Sequence, residues 1–395
     1  MIYYLIIHIL NNKMKRILLL TPDDPFSGSG GLGETLRNLL YFFELKHKDY
    51  FFDIICVSNT NRGNNFTCYA INEFSIPQVS YSFDIISDGL CYVMIKYSQY
   101  LCVYYKYLMN NKYDLIHVND YSTAYAGKIL SEQLNCDILF SCQLSICYTA
   151  ISKIQKNNKN LLVENEIKMM QNSKLTIFAS NYYANQLSLF TNNYCIIPNG
   201  ICLNEWENVV PYNFNNNNNN NKINVIYIGR LTDEKNILNV VNSKLPDNFN
   251  LYIIGSENGS NPYIVNTIKN NNNPQITYLG PKYGCEKISL LKGADIQIIP
   301  STHEPFGIVV LEALASSNII LTSFVGGIKE IVNENVAINC GTTVESIENS
   351  YNEYIKLTDT QKENMVSLGH EIVKKYDWEN IGDKYFKSYE FAMNL

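Results

Sequence analysis

In the phrase Ser301-Thr302-His303-Glu304-Pro305-Phe306-Gly307-Ile308-Val309-Val310-Leu311-Glu312-Ala313-Leu314, two carboxylates bracket a Pro-x-Gly turn that opens an apolar helix. Ionised carboxylates accept hydrogen bonds from hydroxyls. The free N–H groups of a helix start, here expected from Phe306, Gly307, Ile308 and Val309 after the turn-forming Pro305, form an anion site. Glu304 and Glu312 stand eight residues apart, at most about 12 Å if the chain between them is helical. Acid, amides, acid is the order that suits a ligand with hydroxyls at both ends and a diphosphate between. The plainer alternative is a core helix carrying two solvated acids.

Upstream, Val225-Ile226-Tyr227-Ile228-Gly229-Arg230-Leu231-Thr232-Asp233-Glu234-Lys235-Asn236 reads as a strand and a loop with two cations. A guanidinium fork and a compact ammonium suit a departing diphosphate. Taken singly, Arg230 and Lys235 are ordinary surface charges; their place after a strand in the same half as Glu304 argues for a shared site. Near the start, Gly28-Ser29-Gly30-Gly31-Leu32-Gly33 opens a helix, and its glycines let backbone approach a phosphate closely. It satisfies G-x-G-x-x-G, yet Pro22 to Ser27 separates it from the strand where a dinucleotide fold needs a tight turn. Asp53 has the right separation for that fold but does not end its strand. A purely structural turn also fits these glycines.

These groups need elements to hold them. Apolar runs predict strands over 16–20, 52–57, 92–95, 115–118, 138–141, 175–179 and 195–197, with helices over 34–43, 100–109, 123–133 and 181–190. A second cycle of strands covers 223–228, 251–254, 276–279, 296–299 and 319–322. Such alternation is the sign of parallel sheets covered by helices. The fold class is therefore α/β, with two Rossmann-like doubly wound parallel-sheet domains. The expected organisation is an extension over 1–13, a first domain over 14–205, a linker over 206–222, a second domain over 223–375 and a returning helix over 376–395. The run Asn215 to Asn221 reads as a low-complexity insertion in the linker.

A length of 395 residues suits two domains, and 46% hydrophobic residues supply their cores. With a net charge of −6 and no basic stripe, the chain is not expected to bind nucleic acid. Eleven cysteines without a C-x-x-C pair suggest neither a zinc site nor a disulfide framework, so free thiols in the cytoplasm are expected. Met1 to Leu10 is too short an apolar run to span a bilayer, which leaves no transmembrane segment and at most a weak peripheral anchor.

The Glu304 to Glu312 segment resembles the Glu, seven residues, Glu signature of retaining glycosyltransferases with the GT-B fold, particularly family 4. The G-R-L then E-K arrangement at Gly229 to Lys235 is similar to that family's leaving-group loop, and Gly30, Gly31, Leu32 and Gly33 resemble the glycine-rich loop of glycogen and starch synthases. Further likeness lies in the Gly326-Gly327-x-x-Glu330 turn, in Leu279-Gly280 with the segment 290–295, and in Tyr376-Asp377-Trp378, which resembles a closing tryptophan helix. His117-x-x-Asp120 resembles the segment that ends a central strand, with Asp120 towards the acceptor; capping of the next helix is the competing role for Asp120. One departure is Gln143, where family members usually carry a histidine near the donor sugar.

The resemblance implies two domains facing across a cleft and transfer of a hexose from a nucleotide-diphosphate sugar, first of all a UDP-sugar, to a hydroxyl acceptor such as a glycan or lipid. Glu304 would hold the donor sugar, Glu312 the ribose, and Arg230 with Lys235 the diphosphate. No Asp-x-Asp occurs in the chain, so no metal and no other cofactor are expected. The alternatives are a glycogen or starch synthase proper, which generally lacks the second glutamate, an epimerase or hydrolase of the same fold, and a non-catalytic nucleotide-sugar-binding protein, which Gln143 would suit.

Overall fold

The computed structural model describes residues 14–23, 25–26, 31–56, 66–70, 111–148, 161–214, 222–257 and 260–394. The expectations for 1–13, Gly30, the 92–95 strand, the 100–109 helix and the 215–221 run fall outside them. The described residues form two compact units. One gathers the chain up to Ile197 together with Trp378 onward, and the other runs from Pro198 to Asp377.

In the first unit the strands are β1 (Lys15–Leu20), β2 (Tyr50–Cys56), β3 (Phe66–Ala70), β4 (Leu115–Asn119), β5 (Ile138–Cys142), β6 (Leu175–Phe178) and β7 (Tyr194–Ile196). They lie in the order β3-β2-β1-β4-β5-β6-β7, each neighbouring pair parallel. Helices α1 (Gly31–Lys46), α2 (Ala124–Leu134), α3 (Leu161–Asn172) and α4 (Asn181–Leu187) connect them, and the C-terminal helix Trp378–Asn394 completes the unit. Strands covered on both faces read as continuous apolar runs. Leu18, Leu20, Ile116, Val118 and Phe140 are accordingly fully buried, each side chain contributing roughly 1.5–3 kcal/mol of transfer free energy.

The second unit repeats the plan with β8 (Ile223–Ile228), β9 (Phe249–Ile254), β10 (Ile276–Gly280), β11 (Ile296–Ile299), β12 (Ile319–Thr322) and β13 (Ala337–Asn339), ordered β10-β9-β8-β11-β12-β13 and parallel throughout. Its main helices are α5 (Ile237–Val241), α6 (Pro262–Lys269), α7 (Gly284–Gly293), α8 (Ile308–Ala315), α9 (Val344–Lys356) and α10 (Asp359–Val373). Both sheets are thus Rossmann-like and doubly wound. In each, strand order reverses at one place, β1 beside β4 and β8 beside β11. Ligands of open α/β sheets bind outside the carboxyl ends of strands at such a reversal.

The boundary expected at 205 moves to between Ile197 and Pro198. The stretch beyond it is tied to the second unit by hydrogen bonds. Leu203 N–H donates to Asp377 Oδ2 at 3.2 Å, the Trp206 indole to Ser316 Oγ at 3.1 Å, and Tyr212 N–H to the Ser289 carbonyl at 2.8 Å. Residues 206–214 therefore belong to that unit, with Trp206 buried in it.

Candidate active site

The reversal in the second sheet brings two sequence-distant loops together. The chain leaving β8 enters Gly229 to Asn236, and the chain leaving adjacent β11 enters Ser301 to Gly307. Backbone bonds fix the first loop. Tyr227 OH donates to the Arg230 carbonyl at 2.8 Å, Leu231 N–H to Ser260 Oγ at 3.0 Å, and Lys235 N–H to the Thr232 carbonyl at 3.1 Å. Asn236 turns the chain in the left-handed region (φ 58°), and its amide donates to the carbonyls of Pro300 at 3.1 Å and Thr342 at 2.8 Å. Thr302 N–H in turn donates to the Glu234 carbonyl at 2.8 Å, which ties the two loops together.

Onto this frame the side chains converge. Lys235 Nζ lies 2.5 Å from Glu304 Oε2, with the two side chains 17% and 9% exposed. Arg230 Nη2 sits 3.1 Å from Glu234 Oε1 and keeps 45% of its side chain exposed. Glu312, on the second turn of α8, is 6% exposed, and Lys287 Nζ from α7 approaches its Oε1 to 2.7 Å. Each acid of the Glu304/Glu312 pair therefore carries its own lysine. Burial pushes His303 below its ordinary pKa, with Glu304 pulling the other way.

Between the acids, Gly307 caps α8 at φ 110°, a backbone angle that side chains rarely tolerate. The N–H groups of Ile308 and Val309 belong to the first turn, where no intrahelical acceptor exists. Fully buried Gln297 on β11 donates to the Val309 carbonyl at 2.9 Å and so fixes the start of the helix. Pro305 and Phe306 are held from the other side. Gly327 N–H donates to the Glu304 carbonyl at 3.0 Å, and a Cβ on Gly327 would stand 2.4 Å from the Pro305 oxygen and 2.7 Å from Phe306 Cα. Since both obstacles are backbone, Gly327→Ala should cost about 1–3 kcal/mol in thermal unfolding, in the range of overpacked cores.

The first unit presents the other predicted residues. Gly31, Leu32 and Gly33 form the first turn of α1, after β1. Asp120 comes directly after β4, the strand beside β1, and it is buried. Its carboxylate accepts the Tyr121 N–H, so it does cap the short turn Tyr121–Thr123. Its backbone is at φ 73° and ψ 158°, a conformation reserved for glycine that costs roughly 1–3 kcal/mol and is concentrated at functional sites. Burial, reinforced by Glu166, holds the Asp120 carboxyl well above the usual range. Gln143 donates through Nε2 to Tyr385 OH of the C-terminal helix at 3.4 Å. His117 is a packed group rather than an exposed one, its Nδ1 2.6 Å from Tyr389 OH and its Nε2 2.7 Å from Ser141 Oγ.

Two participants carry no readable signal in the sequence. Lys287 precedes Glu312 by 25 residues on a different helix. Glu166 lies on α3, which the apolar pattern of the sequence does not mark, and is fully buried beneath Cys142 and the Cys147 N–H, the latter donating to Oε2 at 2.7 Å.

Residues 211–367 match the sequence profile of the family described as glycosyl transferases group 1. An uncharacterized glycosyltransferase of Methanocaldococcus jannaschii is 24% identical over 312 residues, which is 72% of this chain and 77% of the relative. Among solved structures, sucrose-phosphate synthase from Thermosynechococcus elongatus superposes with a TM-score of 0.77 at 18% identity, over 95% of this chain and 98% of its own. Anabaena HepE in complex with UDP-glucose gives 0.69 at 16% identity, over 95% and 99%. The fold is that of the GT-B proteins. The family match falls in the second unit, and the likeness to solved structures extends over nearly the whole chain.

Proposed function

We propose that this chain is a retaining, metal-independent hexosyltransferase of family 4 that moves a hexose from a UDP-sugar to a hydroxyl of a glycan or lipid. The observation that carries the reading is the pair of buried acids, Glu304 and Glu312, each held by a lysine on either side of the α8 start. Glu304 takes hydroxyls of the donor sugar, Glu312 takes the ribose, and Arg230, Lys235 and the N–H groups of Gly307 to Val309 face the diphosphate. Gly229 and, in the first unit, the loop Gly30 to Gly33 are assigned to donor binding. The HepE complex with UDP-glucose favours a uridine donor on the same fold.

In the transfer, the bond between the anomeric carbon and the diphosphate oxygen breaks while a bond to the acceptor oxygen forms on the same face. The acceptor proton passes to the departing phosphate oxygen. Charge therefore grows on the diphosphate in the transition state, where fixed cations and amides count most. Asp120 and Gln143 belong to the acceptor side, where a strained, buried carboxyl is a natural partner for a hydroxyl. We also assign the protein to the cytoplasm. Among the described residues no helix is long and apolar enough to cross a membrane.

A donor at a hundred times its Kd should stabilise the protein by about 2.7 kcal/mol, so UDP-glucose, UDP-N-acetylglucosamine, GDP-mannose and ADP-glucose are to be compared by thermal shift. Nucleotide release that requires an acceptor, persists in EDTA and leaves the anomeric configuration unchanged by NMR supports the proposal. Release without acceptor indicates a hydrolase. Binding without release in any acceptor mixture indicates the non-catalytic reading that Gln143 suits.

A further inference from the structure

We propose that Lys287 is a positioning residue that holds Glu312 towards the donor ribose, making this pair the element that distinguishes ribose from deoxyribose. The inference rests on the function proposed above.

Glu312 sits in Ile308–Ala315, a helix whose other side chains are all apolar, and its carboxylate is almost wholly removed from water. A buried charge in such a place is retained only when it is paired. Its partner does not come from the same helix, where a lysine one turn away would have been the simplest solution. It comes from α7, the helix after β10, and the lysine stem is itself only 12% exposed while its ammonium reaches Glu312 Oε1 at 2.7 Å.

The neighbouring lysines behave differently. Lys282 pairs along the surface with Glu286, whose side chain is 62% exposed, and Lys292 donates to the Trp206 carbonyl at 2.9 Å. Lys287 is thus the α7 lysine committed to a buried acid.

A carboxylate that must receive hydroxyls needs a fixed charge and a fixed rotamer, and one ammonium bond supplies both while leaving acceptor capacity, since two oxygens offer about four lone-pair directions. Lys235 does the same for Glu304. The two lysines differ in placement: Lys235 sits on the loop beside Arg230 and meets the diphosphate as well, whereas Lys287 lies on a separate helix and reaches Glu312.

The test is calorimetric titration of the full chain with UDP, ADP and GDP and the 2′-deoxy form of each. For whichever nucleotide binds, the wild type should prefer the ribose form by about tenfold or more, the worth of a hydrogen bond to a charged group. In Lys287→Met, affinity for the ribose form should fall about tenfold and the preference should shrink to roughly threefold or less. Circular dichroism verifies folding. If the methionine variant does not fold, Lys287→Gln, which can still donate to Glu312, decides the matter by an intermediate preference. A folded Lys287→Met or Lys287→Gln with the wild-type preference overturns the inference. A wild type that binds ribo- and deoxynucleotides alike overturns it too, while leaving the nucleotide-sugar reading in place. A wild type that binds none of them overturns both.

Discussion

Replacing Lys235 by alanine should lower turnover by about 10²–10³-fold, the usual cost of removing one donor aimed at charge that develops in the transition state. The loss should appear in kcat more than in KM, because the diphosphate gains charge only as the glycosidic bond breaks. The structure adds a second effect. Lys235 Nζ is 2.5 Å from Glu304 Oε2, and that carboxylate side chain is 9% exposed. Alanine therefore also strands a nearly buried charge. Breaking a fully buried pair costs about 3–5 kcal/mol, and the partial exposure of Lys235 places this one towards or below the lower limit. The two effects separate in the double variant Lys235→Ala/Glu304→Gln, whose site holds no unpaired charge. Urea unfolding should recover in the double variant, and turnover should not. If the single variant turns over like the wild type, Lys235 has no part in the transfer, and its bond to Glu304 is only structural.

The reason so much of this site is legible in the sequence is local chemistry. Glu304, Gly307 and Glu312 lie on one turn and one helix, so their relation follows from residue spacing, and Gly307 at φ 110° is the residue such a turn demands. The strands 223–228, 296–299 and 319–322 match β8, β11 and β12 residue for residue, because buried parallel strands are unbroken apolar runs. The features without a sequence signal depend on contacts across the fold. Lys287 becomes informative only when α7 and α8 are laid side by side, and nothing in Gly284–Gly293 separates it from its surface neighbours. The strands β3 and β13 are equally silent in the apolar pattern. β13 has only three residues, Ala337–Asn339, ending in a polar one, and β3 carries Thr67 within a short edge strand. The helix α3 mixes Glu164, Asn165 and Glu166 into its apolar positions, and the last of these points into the core.

That buried Glu166, together with His117, makes the first unit respond to pH in two opposite ways. Burial lowers the pKa of His117 to about 3, against an ordinary value of 6.5. Below pH 6.5 the unfolded chain binds a proton there that the folded one refuses, so the wild-type stability attributable to His117 falls as pH drops, by about 1.4 kcal/mol per pH unit. Glu166 runs the other way. Burial outweighs the bonds it accepts and raises its pKa from 4.5 to about 7. Between those values the folded state holds the extra proton, so its contribution to stability falls as pH rises. Relative to His117→Gln, wild-type stability should be constant above about pH 6.5 and decline towards about 3. Relative to Glu166→Gln, it should decline from about pH 4.5 to about 7. The chain allows a clean reading, since its two tryptophans fall one in each unit, Trp206 in the second and Trp378 in the first. In a Trp206→Phe background, urea unfolding followed by tryptophan fluorescence reports the first unit alone. Stability differences that run parallel to the pH axis for both variants would mean that neither group is held in its neutral form by the fold.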